Sequence, residues 1–248
     1  MSIASPSPTA VAALAPSGVL RAAINLSNFL LVSNVGDAGI PKGVSPGMAH
    51  ALAERLGVEI EFLTFDSPGE LADAAQSGSW DIGNIGAEPA RAEHIAFTNA
   101  YAEIECTYLL PAGSPITSFD EVDQPGVRIS VKSRAAYALW LERNLAHGEL
   151  VQTETLDSSL ETFVDQKLDA LAGLRPRLNS DLKTLPGASI LDGSFTAVQQ
   201  AIGTPRNRDQ AGIDFLTDFV EHAKASGLVA NLIDTYEVVG LSVAPTKE

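Results

Sequence analysis

Gly78-Ser-Trp-Asp-Ile-Gly-Asn-Ile-Gly-Ala-Glu-Pro-Ala-Arg91-Ala-Glu-His-Ile95-Ala-Phe97-Thr-Asn-Ala-Tyr101 is the most informative stretch of the chain. Trp80 to Ile85 predicts a short buried strand, Gly86 a tight turn, and Glu88-Pro89 the entry to a helix. Arg91 stands alone at the start of that helix, and a second apolar strand follows it. Backbone N–H groups at a helix start, next to an arginine, make a socket for a carboxylate.

Working outward, strands alternate with helices on both sides of this stretch. Val19 to Ile24 predicts a strand, and Pro46 to Leu56 a helix with Met48, Ala49, Leu52, Ala53 and Leu56 at helical spacing, closed by Gly57. Val58, Ile60 and Phe62 alternate with Glu59 and Glu61, the pattern of a half-exposed strand. Ser67-Pro68-Gly69-Glu70 predicts a capping box opening a helix that ends near Gly78. Further on, strands are expected at Arg128–Lys132, Leu150–Thr153 and Asp169–Gly173. Helices are expected at Ala135–Leu145, after a box formed by Ser158 and Glu161, at Pro176–Leu185, Arg208–Ser226 and Val229–Tyr236. Trp80 and Trp140 are expected in the core.

Short βα units of this kind predict an α/β protein with open, mostly parallel sheets. Two stretches of similar grammar predict two lobes joined at Tyr108–Pro111 and Phe195–Gln199, so that the first lobe is discontinuous in sequence. The expected division is 1–16 as a loose tail or short packed helix, 17–109 as the first part of lobe one, 110–196 as lobe two, and 197–248 as the return. Ligands of open α/β sheets sit at the carboxyl ends of strands, which for two such lobes places the site between them.

Composition removes several classes of function. The net charge of −15 disfavours nucleic acid and anionic membrane as partners, so an anionic ligand needs a local positive pocket. One cysteine, Cys106, allows neither an internal disulfide nor a thiolate cluster, and His50, His94, His147 and His222 lack metal-ligand spacing. No metal, cofactor or membrane insertion is expected, and the protein is expected to be a monomer. The first residues carry no Lys or Arg before Arg21 and are broken by Pro6, Pro8 and Pro16, so they do not read as a signal peptide. Either an export signal has been removed or the protein is cytoplasmic.

From Gly18 onward the chain resembles the periplasmic solute-binding proteins of the amino-acid ABC-transporter type. The resemblance rests on Gly18-Val-Leu-Arg21, on Gly43 and Leu56-Gly57, and above all on Gly78-x-x-Asp81, Arg91, Ile95, Phe97-Thr98 and Tyr101. It continues through Asp123-Gln-Pro-Gly126, Gln166-Lys-Leu-Asp169-Ala170 and Ala225-Ser-Gly-Leu228. The resemblance implies a type 2 periplasmic-binding fold, no enzymatic activity, hinge closure on a small carboxylate ligand, and a permease as partner. It implies that Arg91 holds the ligand carboxylate through its planar fork, with Asn84 and Gly86 also at ligand-binding positions. A surface arginine pairing with Glu88 or Glu93 is the alternative for Arg91, and a helix N-cap the alternative for Glu88.

The departures bear on the ligand. The family's Gly-Thr turn is matched by Ser133-Arg134-Ala135, which is expected to contact the ligand. By spacing, the aspartate that receives an α-amine is replaced by Leu174, with Arg175 beside it. A leucine cannot pair with an ammonium group, and the added arginines, with Arg175 among the candidate ligand contacts, point towards an anion: a carboxylic acid without an α-amine, such as a dicarboxylate, with Glu88, Asp37 or Asp192 as other acceptors should the ligand carry an amine. Asn28, Phe29 and Gln199 complete the candidate ligand-binding set, with core burial the alternative for Phe29. Val122-Asp-Gln-Pro-Gly126 and Ser226-Gly-Leu-Val also resemble the cyclohexadienyl (prephenate/arogenate) dehydratases, an enzyme group on the same fold. Their cleft acid falls by spacing on Arg177, which tells against that activity. A cytoplasmic ligand sensor is the third reading.

Overall fold

In a computed structural model, residues 5–36 and 39–246 are described. The chain forms two compact units, one of residues 1–103 and 199–248 and the other of residues 104–198. The chain therefore passes between them at Glu103–Ile104 and Val198–Gln199. The first passage lies inside a strand, ahead of the expected Tyr108–Pro111 join. Tyr108 is instead buried within the second unit.

The first unit opens with helix α1 (Pro8–Leu14), capped by the Ser7 hydroxyl on the Ala10 N–H. Ala10, Ala13 and Leu14 are buried, so of the two expectations for this segment the packed helix holds over those residues. It lies against a later helix at Gly212, where a Cβ would meet the Ala13 Cβ at 2.7 Å, closer than any side chain tolerates. Strand β1 (Val19–Asn25) leads to a two-residue ribbon, β2 (Asn34–Val35) with β3 (Pro41–Lys42). Helix α2 (Val44–Leu56) ends on Gly57 in the left-handed conformation, as the periodicity and that glycine predict. Strand β4 (Glu59–Phe65) and helix α3 (Pro68–Asp73) follow, with the Ser67 side chain accepting the Glu70 N–H at 3.2 Å. Strands β5 (Ile82–Gly86), β6 (Ile95–Phe97) and β7 (Ala102–Leu110) come next, the last carrying the chain into the second unit.

There α4 (Phe119–Val122), β8 (Arg128–Lys132), α5 (Ala136–Asn144), β9 (Glu149–Thr153), α6 (Leu156–Asp165), β10 (Ala170–Leu174), α7 (Arg175–Leu182) and β11 (Ser189–Ile190) follow in order. The capping box of α6 sits one turn before the expected Ser158–Glu161 box. The Thr155 hydroxyl accepts the Ser158 N–H at 3.0 Å, and the Ser158 hydroxyl accepts the Thr155 N–H at 2.9 Å. Strand β12 (Thr196–Pro205) returns to the first unit, which ends with α8 (Gln210–Ala225), α9 (Leu228–Thr235) and β13 (Ser242–Val243).

Within the first unit the strand order is β4-β1-β5-β12, with β4, β1 and β5 parallel and β12 antiparallel to β5. One face of this sheet packs Ala23 and Ile85 against Leu71, Ala75, Trp80 and Ile95. Trp80 is fully buried and its indole N–H reaches the Leu71 carbonyl at 3.1 Å, so burying the ring leaves no polar atom unpaired. Within the second unit the order is β7-β10-β8-β9, with β10, β8 and β9 parallel and β7 antiparallel to β10. Leu109, Phe163, Leu168, Leu171 and Leu178 form its core. A separate aromatic group gathers on Phe195, with Tyr108 at 4.7 Å, Trp140 at 5.5 Å and Phe119 at 6.4 Å between ring centres. Trp140, expected in the core, is half-buried and stacked on Phe195.

Candidate functional site

All five residues of β5 are buried, and the strand extends through Gly86, where a turn was expected. The predicted helix after it is absent: Arg91–Glu93 form a single 3-10 turn. The turn gives way at once to the β6–β12 ladder, where Ile95 pairs with Pro205 and Phe97 with Gly203, so the backbone is drawn into a strand directly after His94. Glu88 consequently caps no helix; the capping position is Ala90, which makes no side-chain cap. Glu88 is buried, and its carbonyl accepts the Ala92 N–H at 2.9 Å.

Arg91 is buried, only 6 % exposed. Its NH1 donates to the Gly86 carbonyl at 2.7 Å, which ties the guanidinium to the carboxyl end of β5. A second arginine braces the same turn, as Arg206 Nε donates to the Ala92 carbonyl at 2.7 Å. The Ala87 N–H donates to the Gln199 carbonyl at 2.8 Å, bringing the start of β12 alongside. Asn84, Gly86, Arg91 and Gln199 are thus gathered at one end of the β5–β12 pair. Asn28 and Phe29 follow β1, the parallel neighbour of β5, with Ile24 opposite Asn84. The Asn28 side chain accepts the Leu30 N–H at 3.2 Å and shapes that turn. Phe29 is 42 % exposed, which removes the alternative that it is core.

Asn84 carries an unexpected feature. It is buried, and among the described residues neither its side-chain oxygen nor its nitrogen has a hydrogen-bond partner; the same holds for Oε1 of buried Gln200. Gln200 is paired with Gly86 and Ile202 with Asn84, so both side chains belong to one face of the sheet.

In the second unit Ser133, Arg134 and Ala135 form the turn from β8 to α5. Arg134 has φ of 59°, the left-handed conformation that a glycine adopts without cost. The Ser133 hydroxyl is taken by Gln152 Oε1 at 2.8 Å, and Ala135 caps α5 without a side-chain bond. Lys132 ends β8 and is buried, a cation that the sequence reading passed over although it closes an apolar strand. Arg175 follows β10, the parallel neighbour of β8. Its Nε donates to Glu105 Oε2 at 2.9 Å and its NH2 to the Gly193 carbonyl, so much of its donor capacity is used inside the unit. Leu174 is buried at the end of β10. Arg177 donates to Asp181 at 2.8 Å and to Asp157 at 2.7 Å. Asp192 is exposed, and Asp37 lies outside the described residues.

The sequence reading also missed the role of Asp81. Fully buried, it accepts from Arg21 Nε at 3.0 Å, from Arg21 NH2 at 2.7 Å, from the Arg21 N–H at 3.0 Å and from Arg208 NH2 at 2.6 Å. The side-chain bond to Asp81 lifts the Arg21 pKa above its ordinary value against the opposing effect of burial. Among the described residues no three His, Cys, Asp or Glu side chains are placed to hold a metal ion. No helix among them is long and apolar enough to cross a membrane.

Solved structures share this fold. An ancestral amino acid-binding protein, described as a precursor of cyclohexadienyl dehydratase, superposes with a TM-score of 0.73 at 18 % identity, over 92 % of this chain and 99 % of that one. A binding component of an ABC transporter from Wolinella succinogenes, complexed with lysine, gives a TM-score of 0.72 at 18 % identity, over 90 % of this chain and 97 % of that one. A histidine kinase sensor domain similar to periplasmic binding proteins gives 0.74 at 16 % identity, over 91 % and 98 %. The fold they share with this chain is the periplasmic-binding-protein fold. Residues 27–238 match the family model of the bacterial extracellular solute-binding proteins, family 3, and the chain belongs to that family.

Proposed function

We propose that the protein captures a small carboxylate-bearing solute, an amino acid or related organic acid, by closure of its two units about β7 and β12. Delivery to an ABC-transporter permease on the outer side of the cell membrane completes the reading, in keeping with the extracellular placement of the family. The observation that carries it is Arg91, buried and anchored by Gly86 at the carboxyl end of a parallel strand, where open α/β sheets bind their ligands. A guanidinium fixed in a site shielded from water binds a carboxylate more strongly than a mobile surface arginine does. Asn84, Gly86, Asn28, Phe29 and Gln199 act with it from the first unit, and Ser133, Arg134, Ala135 and Arg175 from the second.

The engagement of Arg175 with Glu105, and of Arg177 with Asp157 and Asp181, weakens the case for a dianionic ligand. Those charges are already balanced, so an amino acid is the favoured solute despite Leu174. The lysine complex of the Wolinella protein is in keeping with that class.

Arg91→Ala is expected to weaken binding by more than ~2 kcal/mol, about 30-fold, because the ligand carboxylate loses its partner in a buried site. A thermal-shift screen of amino acids against organic acids lacking an amine identifies the ligand, and calorimetry on wild type and variant measures the loss. Unchanged affinity in Arg91→Ala rejects the site. The enzyme reading has less support, since the position of the dehydratase acid is filled by Arg177, locked between two carboxylates. Turnover of prephenate or arogenate by the purified protein would reinstate it. The sensor reading rests on shared fold alone.

A further inference from the structure

Away from Arg91's ligand side, the first unit holds a pocket of about 670 Å³ lined by three arginines, Arg21, Arg206 and Arg208. These are three of only 16 lysines and arginines in a chain with 31 acidic residues, so their convergence is a local exception to the charge of the molecule. All three are held in place by protein groups. Asp81 binds both Arg21 and Arg208 from beneath, one carboxylate serving two cations. Arg206 is held by the uncharged carbonyls of Ala92 and Ile95, at 2.7 and 3.4 Å.

Each fork keeps donors to spare. Among the described residues, NH1 of Arg21, NH1 of Arg206 and NH1 of Arg208 take part in no hydrogen bond, and Nε of Arg208 is shielded from solvent without a partner. Glu93 is the acidic residue of the lining, and exposed Glu61 faces Arg21 from β4. These carboxylates reduce the field of the pocket but use none of those donors.

We propose that this pocket is a second binding site, separate from the Arg91 site, for a small soluble solute bearing a phosphate group. Three guanidinium forks offer more donors than the two oxygens of a carboxylate accept, and a terminal phosphate supplies three strong acceptor oxygens. Because the arginines are already immobilised, binding orders little of the protein. The acidic remainder of the molecule selects a compact solute over a nucleic acid or an anionic lipid surface.

Isothermal titration of the full chain with inorganic pyrophosphate tests this. One saturable event is expected, weakening as sodium chloride is raised. Arg208→Gln keeps the two-point Arg21–Asp81 pair and is expected to lower affinity ~10-fold, a typical loss for one charge-assisted contact. Asn207→Asp changes an exposed turn residue of the lining into a near-isosteric carboxylate, so it tests the site without disturbing packing; a loss of ~5-fold is expected from like-charge repulsion. Absence of saturable binding at millimolar pyrophosphate, or wild-type affinity in both variants, overturns the proposal. Co-sedimentation with phosphatidylglycerol vesicles, if lost in the same variants, overturns the assignment to a soluble solute.

Discussion

The two units solve the burial of charge in opposite ways. In the first, one carboxylate serves two arginines: Asp81 is fully buried and holds Arg21 and Arg208. In the second, one arginine serves two carboxylates: Arg177 holds Asp181 at 2.8 Å and Asp157 at 2.7 Å. The hubs differ in exposure as well as in sign. Asp81 has no contact with water, whereas the Arg177 side chain is 22 % exposed and its arm Asp157 80 %. A buried hub with four donors cannot lose its charge without stranding its partners, while an exposed arm can be replaced by solvent. Structural dependence therefore concentrates at Asp81, and the second unit's cluster is an adjustable one.

The largest effect is expected from Asp81→Asn, which leaves Arg21 and Arg208 without their counter-ion. A loss of about 3 kcal/mol is expected, the low end for breaking a buried pair because both arginines retain some solvent contact. Asp157→Ala is expected to cost less than ~1 kcal/mol, as for exposed pairs in general. Urea denaturation of both variants tests the contrast, which fails if Asp157→Ala is the more damaging.

Next in size is Asn84→Leu. Removing a buried side chain whose two polar atoms lack protein partners is expected to stabilise the fold by ~1 kcal/mol or more. If Asn84 serves the ligand, the same variant loses binding while melting later. A lower melting temperature would show that the side chain is satisfied in solution.

The smallest effect concerns pH. Burial raises the Asp181 carboxyl pKa, and the attraction of Arg177 offsets only part of that rise. The folded state thus holds this proton more tightly than the unfolded chain, whose aspartates titrate near ~3.9. The contribution to stability is complete below that value and is lost as pH rises through the higher native pKa. Asp181→Asn should remove this falling component, seen as a flatter stability profile across the mildly acidic range. A profile parallel to wild type would exclude Asp181 as its source.

Much of this architecture is legible in the chain. The strands β1, β8 and β10 and the helices α2 and α8 announce themselves through apolar runs, 3.6-residue spacing and the glycine at position 57. What escapes a linear reading is set by partners distant in sequence. Asp81 meets Arg21 across 60 residues and Arg208 across 127, and neither separation leaves a local signature. Arg175 draws Glu105 from 70 residues away, so a residue that looked available to a ligand is engaged. The missing helix at Arg91 has the same origin, since local propensity yields to the β6–β12 register. The placement of Arg91, Asn84 and Gly86 beside one another was readable because they share one strand and its following turn.

The chain has only two tryptophans, and their surroundings differ. Trp80 is sealed in the first unit's core, whereas Trp140 is half-buried and stacked on Phe195, one residue before β12 begins. Light emitted by Trp80 is therefore a steady, blue-shifted background. A shift in colour or a change in quenching by added iodide reports first on half-buried Trp140 and the strand it rests beside, which gives the protein an intrinsic optical reporter without a dye.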